Sequence, residues 1–214
     1  MGCAFVIGNI ASGKSTAMRY LERRGARRID LDELCKSLYV PDSAVLSDLA
    51  SAFGSDVLDA EGALVPSLLA ERAFSSPESA RKLDELVYPY LLDELARLLL
   101  SSPCSVLAGS DAPLTVVEVS NAAAFTEAFG LADEVVAVSA PVELRRERAL
   151  GRGMAAADFE ARAAVQPSDE ELCALASTVI ENTGDDQDLF SALEAWLSAF
   201  EGRFPCDSEG PRHG

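Results

Sequence analysis

Gly8-Asn9-Ile10-Ala11-Ser12-Gly13-Lys14-Ser15, followed by Thr16, fits the pattern G-x-x-x-x-G-K-[ST]. The apolar run Cys3-Ala4-Phe5-Val6-Ile7 precedes it, and a polar, glycine-free stretch from Ser15 to Arg24 follows. This is the strand–loop–helix setting in which the pattern cradles phosphate. Gly8 and Gly13 can adopt backbone angles closed to other residues and let a phosphate come close. The N–H groups of the loop turn inward as a nest for anionic oxygens, and the helix N-terminus adds positive potential. Lys14 supplies a mobile charge for the terminal phosphates, and Ser15 a hydroxyl for Mg²⁺. Gly8 through Thr16 is therefore the expected nucleoside-triphosphate-binding loop.

The rest of the chain limits what surrounds that loop. A length of 214 residues suits one domain with a sizeable core and an inserted subdomain. No apolar stretch is long enough to span a bilayer, and no basic segment precedes the first apolar run. The expected setting is cytoplasmic. A net charge of −17 disfavours nucleic acid and anionic membranes as partners. Only Lys14, Lys36 and Lys82 are lysines; the other basic residues are arginines, grouped at 19–28 and 145–152. The five cysteines form no C-x-x-C pair, which points to reduced thiols and not to a zinc site. The single histidine, His213, stands next to the last residue, so acid–base work inside the fold falls to carboxylates.

Strand-like runs at 3–7, 27–29, 114–119, 134–139 and 178–181 alternate with helical patterns. The expected fold class is α/β: a P-loop NTPase-type parallel sheet with helices on both faces, an inserted helical substrate subdomain and a lid. The nucleotide-binding core is placed at 1–58 and 102–202, with the lid near 148–165. The helical insertion is placed at 59–101 and a tail at 203–214. Within the insertion, three helices are expected: one from Pro66, one from Pro77, and a third begun or kinked at Pro89. A strand or helix end is expected at Cys104–Ala108. A helix from Ala122 should stop at Gly130.

Ligands of such sheets sit beyond the carboxyl ends of the strands. The loop, Asp30 and Asp32, Glu118 to Asn121 and the segment after Ser139 all lie there. No run resembling a Walker B strand ends in an aspartate. An acid pair follows the second strand, and an arginine-rich helix breaks at Gly151-Arg152-Gly153. That arrangement suits a small-molecule kinase whose lid brings an arginine to the transferring phosphoryl group. Other readings fit the same residues. Asp30 and Asp32 also suit the first turn of a helix. Arg148 could pair with Glu143 or Glu147. Glu118 could sit near Mg²⁺ or pair with an arginine in the sheet. Gln166 could simply end a helix before Pro167.

The ordered set of motifs resembles the dephospho-CoA kinase family over about residues 3–185. Asp30-Leu31-Asp32 matches its D-x-D. Gly62-Ala63-Leu64, Leu68 to Phe74 and Ser76-Pro77-Glu78 resemble its substrate-domain block. Arg148 and Arg152 fall at its lid arginines, Ala161 to Gln166 at its A-R-I-A-x-Q, and Val179 to Gly184 at its V-I-D-N-x-G. There are departures. Asn9 replaces a glycine, Ile7 a threonine, Tyr88 a histidine, and Ser120 to Ala124 a Pro-Leu-Leu-Phe-Glu run. Gly153 stands where an aspartate often follows the lid arginine.

The resemblance implies ATP-dependent phosphorylation of the ribose 3′-hydroxyl of dephospho-CoA. Lys14, Asp32, Arg148 and Arg152 would be catalytic. Asn182 and Gly184 would lie against the adenine, Ser15 would ligate Mg²⁺, and ATP and dephospho-CoA would be the binding partners. A kinase of the same fold acting on a nucleoside monophosphate or another hydroxyl, and a non-catalytic nucleotide-binding relative, are the competing readings. Oligomeric state is not legible.

Overall fold

The computed structural model describes residues 2–100 and 114–203. In chain order these form β1 (Gly2–Ile7), α1 (Lys14–Arg23), β2 (Arg27–Asp30), α2 (Leu31–Ser37), α3 (Ala44–Phe53), α4 (Pro66–Ala73) and α5 (Pro77–Leu100). β3 (Leu114–Val119), β4 (Glu134–Ser139), α6 (Val142–Gly151), α7 (Ala156–Ala163), α8 (Asp169–Ala174), β5 (Thr178–Glu181) and α9 (Asp186–Arg203) follow. The expectations at Cys104–Ala108 and for the tail beyond Arg203 lie outside the described residues.

Contacts divide the chain into two units, the first comprising described residues 2–30 and 114–203 and the second 31–100. In the first, all five strands pair in parallel in the order β2-β3-β1-β4-β5. β1 is central and is apolar on both faces, as a strand covered from both sides must be. Ala4 and Val6 meet Val116, Val136 and Val138, capped by Met18 and Leu21 of α1 and by Leu189, Leu193, Trp196 and Phe200 of α9. On the opposite face, Phe5 packs its ring against Phe125 and Phe129, at centroid distances of 6.4 and 6.1 Å. Each such fully buried side chain contributes about 1.5–3 kcal/mol. This packing brings the start of α1 to the carboxyl end of β1.

The segment carrying Phe125 is helical as expected but does not halt at Gly130. It is a 3₁₀ helix over Ala123–Leu131, with Gly130 inside it. Its buried residues Phe125 and Ala128, with Ala122 just ahead of it, recur every third position, and three residues per turn puts them on one face.

In the second unit, Val45, Leu46 and Leu49 of α3 form a core with Leu69 and Ala73 of α4 and Val87 of α5. Cys35, Leu38 and Tyr39, in α2 and just after it, pack at its margin. That packing is why the unit begins at Leu31, ahead of the 59–101 expected from sequence. α5 is one continuous helix, not two pieces divided at Pro89. Pro89 and Glu85 are both exposed, so the carbonyl that loses its partner faces solvent, while Val87, Leu91 and Leu95 stay buried on either side. Among the described residues, no helix is long and apolar enough to cross a membrane.

Candidate active site

The loop between β1 and α1 is shaped by two positive φ angles, +102° at Gly13 and +59° at Ala11. A Cβ on Gly8 would press against Ser12 Oγ and the Val138 carbonyl. The Ser12 amide donates back to the Asn9 carbonyl at 3.1 Å. The amides of Gly13, Lys14 and Ser15 have no acceptor among the described residues. They open the ten-residue helix α1, whose first turn carries no acid. Free N–H groups, a helix N-terminus and a lysine at one point make an anion cradle.

Glu118 is the carboxylate beneath this cradle. The sheet register puts it beside Val6 on one flank and Asp30 on the other. It is 5% exposed. Lys14 Nζ donates to its Oε1 at 2.8 Å, and Ser15 Oγ donates to the same oxygen at 3.1 Å. Arg28 Nη2 donates to Oε2 at 2.6 Å and to Asp30 Oδ2 at 3.0 Å. Burial alone would raise the Glu118 pKa, but hydrogen bonds and charge from Lys14 and then Arg28 outweigh it and hold the carboxyl below the ordinary glutamate value. Burial likewise opposes the charge on Arg28, and its bond to Glu118 restores and raises its pKa. Lys14 also reaches Ser120 Oγ at 3.3 Å.

Asn182, 5% exposed, closes the far side of the loop. Its Nδ2 donates to the Ser12 carbonyl at 2.7 Å. Arg148 donates to the Asn182 carbonyl at 3.0 Å, to Asn182 Oδ1 at 3.3 Å and to the Gly184 carbonyl at 3.0 Å. Arg148 is therefore bonded to the 182–184 turn, and not to Glu143 or Glu147. Arg152 caps α6 through its backbone amide; its side chain is exposed and has no partner among the described residues. Thr16 Oγ1 accepts from Arg19 at 3.4 Å.

The segment after α7 also reaches the loop. Gln166 Oε1 accepts the Ile10 amide at 2.8 Å, and Asn9 Nδ2 donates to Pro167 O and Asp169 Oδ1, each at 3.0 Å. Asp32 lies in the first turn of α2, in the second unit, and is exposed.

The described residues hold no group of three or more His, Cys, Asp or Glu side chains suited to a metal ion. Mg²⁺ bound with nucleotide phosphates needs few protein ligands and takes hard oxygens. The Ser15 hydroxyl beside the Glu118 carboxylate fits that demand.

Sequence reading did not single out Arg28, Arg145 or Asp169 as site residues. Arg28 had one available signal: it is a charge inside a short strand, two residues before Asp30 and on the same face. Nothing local marks Asp169, because its partners are Asn9 and Arg145.

A parallel sheet with a glycine loop at the end of its central strand, a lysine at the helix start and an acid on the next strand together define the P-loop kinase class. The family model described as dephospho-CoA kinase matches residues 3–188, and the chain belongs to that family. A dephospho-CoA kinase of Anaeromyxobacter dehalogenans is 35% identical over 200 residues, spanning 91% of this chain and 90% of that one. One from Corynebacterium diphtheriae is 35% identical over 193 residues, spanning 88% and 92%. Among solved structures, TT1252 from Thermus thermophilus aligns with a TM-score of 0.73 at 30% identity, covering 92% of this chain and 96% of that one. A dephospho-CoA kinase from Campylobacter jejuni shares the fold, with a TM-score of 0.66 at 21% identity and coverage of 94% and 98%.

Proposed function

We propose that the protein transfers the γ-phosphoryl group of ATP to the ribose 3′-hydroxyl of dephospho-CoA, in the cytoplasm, giving CoA and ADP. The observation that carries this reading is the Lys14–Glu118–Ser15 cradle in a chain of this family. The new bond joins the 3′-oxygen to the γ-phosphorus. The bond to the β,γ-bridging oxygen breaks, and the hydroxyl proton leaves to a carboxylate.

Asp32 is the acceptor of that proton; such assistance is typically worth about 10²–10⁴-fold. Lys14 neutralises the terminal phosphates, with the amides of Gly13, Lys14 and Ser15 around them. Ser15 holds Mg²⁺, with Glu118 at its hydroxyl, and the ion when bound neutralises phosphate charge. Arg152, exposed and at the break after α6, supplies charge to the transferring group. Arg148 shapes the 182–184 turn, against which Asn182 and Gly184 place the adenine. Its hydrogen bonds to the Asn182 and Gly184 carbonyls support that role, in place of the catalytic one expected from the resemblance. The helical insertion 59–101, within the second unit, binds the acceptor.

The test is ADP release measured with dephospho-CoA and with a panel of nucleoside monophosphates, with and without Mg²⁺. The expected result is Mg²⁺-dependent turnover on dephospho-CoA alone. Preferential turnover of a nucleoside monophosphate, or ATP binding with no turnover on any acceptor, would overturn the proposal.

A further inference from the structure

Two stretches flanking α7 converge on the phosphate loop, and they meet at one carboxylate. From the side before α7, Arg145 of α6 donates its Nη2 to Asp169 Oδ1 at 3.0 Å and Oδ2 at 3.2 Å. The same guanidinium gives Nε to the Ala140 carbonyl at 3.0 Å and Nη1 to the Ile10 carbonyl at 3.4 Å. From the side after α7, Asp169 opens α8 and takes the Asn9 side-chain amide, which Pro167 O shares. Gln166 takes the Ile10 N–H.

Asn9 is 4% exposed and Arg145 5%. Buried donors of this kind are costly to leave unpaired. Both polar groups of the Ile10 backbone are bound by side chains from outside the loop, so its N–H is not offered to a phosphate. Asp169 is also well placed for charge, in the first turn of a helix and against a guanidinium. Between the two anchors hangs 146–165, the stretch that carries Arg152 and includes the Arg146–Glu160 ion pair at 2.8 Å between α6 and α7.

We infer that Asn9 and Asp169 are positioning residues: they fasten both ends of the 146–165 segment to the phosphate loop, so that triphosphate binding and the placement of that segment are coupled. The inference rests on the kinase reading only in taking ATP as the nucleotide. A glycine at position 9 has no side chain with which to make the Pro167 and Asp169 bonds. The coupling through residue 9 is therefore a property of this chain's own loop.

The experiment uses the full chain and four variants: Asn9→Ala, Asn9→Asp, Asp169→Asn, and the exchanged pair Asn9→Asp with Asp169→Asn. Nucleotide affinity is measured with ADP and steady-state constants with ATP and dephospho-CoA. Amide hydrogen exchange is followed over 146–165 with and without ADP. Asn9→Ala should raise Kd for ADP and KM for ATP by about tenfold, the size expected for a lost buried hydrogen bond to a charged group. It should leave KM for dephospho-CoA unchanged and abolish the ADP-induced slowing of exchange over 146–165, with exchange in β1 and β4 unaltered.

Asn9→Asp should be worse than Asn9→Ala, because it points a carboxylate at the Asp169 carboxylate and the Pro167 carbonyl. The exchanged pair should recover most of the loss, since the amide placed at position 169 can donate to the carboxylate placed at position 9 and still accept from Arg145. Retained ADP-induced protection in Asn9→Ala, both KM values rising together, or an exchanged pair no better than Asn9→Asp would each overturn the inference. Should the wild-type chain prove inactive on dephospho-CoA, the ADP affinity and exchange measurements still decide this question by themselves.

Discussion

The side-chain amide of Asn182 donates to the Ser12 carbonyl at 2.7 Å, and the same nitrogen fills the space that a Cβ on Gly13 would occupy. Gly25 offers an internal control. Its φ of +94° is close to the +102° of Gly13, yet among the described residues no atom beyond its chain neighbours lies within 4 Å of its would-be Cβ. Gly25→Ala should therefore incur backbone strain alone, about 1–2 kcal/mol, with normal ATP affinity. Gly13→Ala adds a collision with Asn182 and should lose measurable ATP binding. Calorimetric titration with ATP and thermal melts separate the two; equal losses of affinity would contradict the steric argument.

The two arginines near the end of α6 should part company when truncated. Arg148→Ala leaves three acceptors at Asn182 and Gly184 without their donor. It should lower the melting temperature, by the equivalent of about 1–2 kcal/mol, and raise KM for ATP. Arg152→Ala should leave the stability within about 0.5 kcal/mol of wild type, because the side chain is exposed and bonded to none of the described residues. Its kcat should fall by orders of magnitude, as an arginine at the transferring group can be worth about 10³–10⁵. A normal kcat in Arg152→Ala would remove it from the chemistry.

The Glu118 carboxyl carries a pH signature. Its pKa in the fold lies below the ordinary glutamate value of 4.5, so its ionised form stabilises the native state above that value. The contribution is lost as the pH falls through 4.5 toward the depressed pKa. Against wild type, Glu118→Gln should be less stable at neutral pH by about 1–3 kcal/mol, and the gap should close in acid. Urea unfolding of both proteins across the acid range measures this. A gap that stays constant would mean that the Lys14 and Arg28 contacts contribute nothing to its ionisation.

Asp32→Asn should lower turnover by about 10²–10⁴-fold and leave ATP affinity close to wild type. The residue is exposed in the first turn of α2, so the fold should tolerate the change. Stopped-flow binding of nucleotide beside steady-state turnover is the check; near-normal turnover would exclude Asp32 as the proton acceptor.

The strands and the loop were legible because their signals are local. β-branched runs and a glycine pattern need no partner to be recognised. What escaped was set by distance along the chain. Arg28 and Glu118 stand 90 residues apart, and Asn9 and Asp169 160 apart; only the strand order brings either pair together. Pro89 misled for a different reason. Proline interrupts helices by clashing and by removing a donor, but Pro89 stands on an exposed turn of α5 where the orphaned carbonyl can be solvated, and buried leucines carry the helix through. The helix ending at Gly130 was expected because glycine commonly ends helices, but here the 3₁₀ stretch over Ala123–Leu131 runs through it.

The short contact between Lys14 and Glu118 gives the phosphate pocket an internal rival for its cation. Any anion that recruits this ammonium must displace a carboxylate already 2.8 Å away. A lone orthophosphate brings little charge to that contest, whereas a nucleoside triphosphate brings several negative oxygens at once and meets the loop amides together with the lysine. Competition of this kind would add to shape as a source of selectivity, and common cellular anions should be weak inhibitors of the protein.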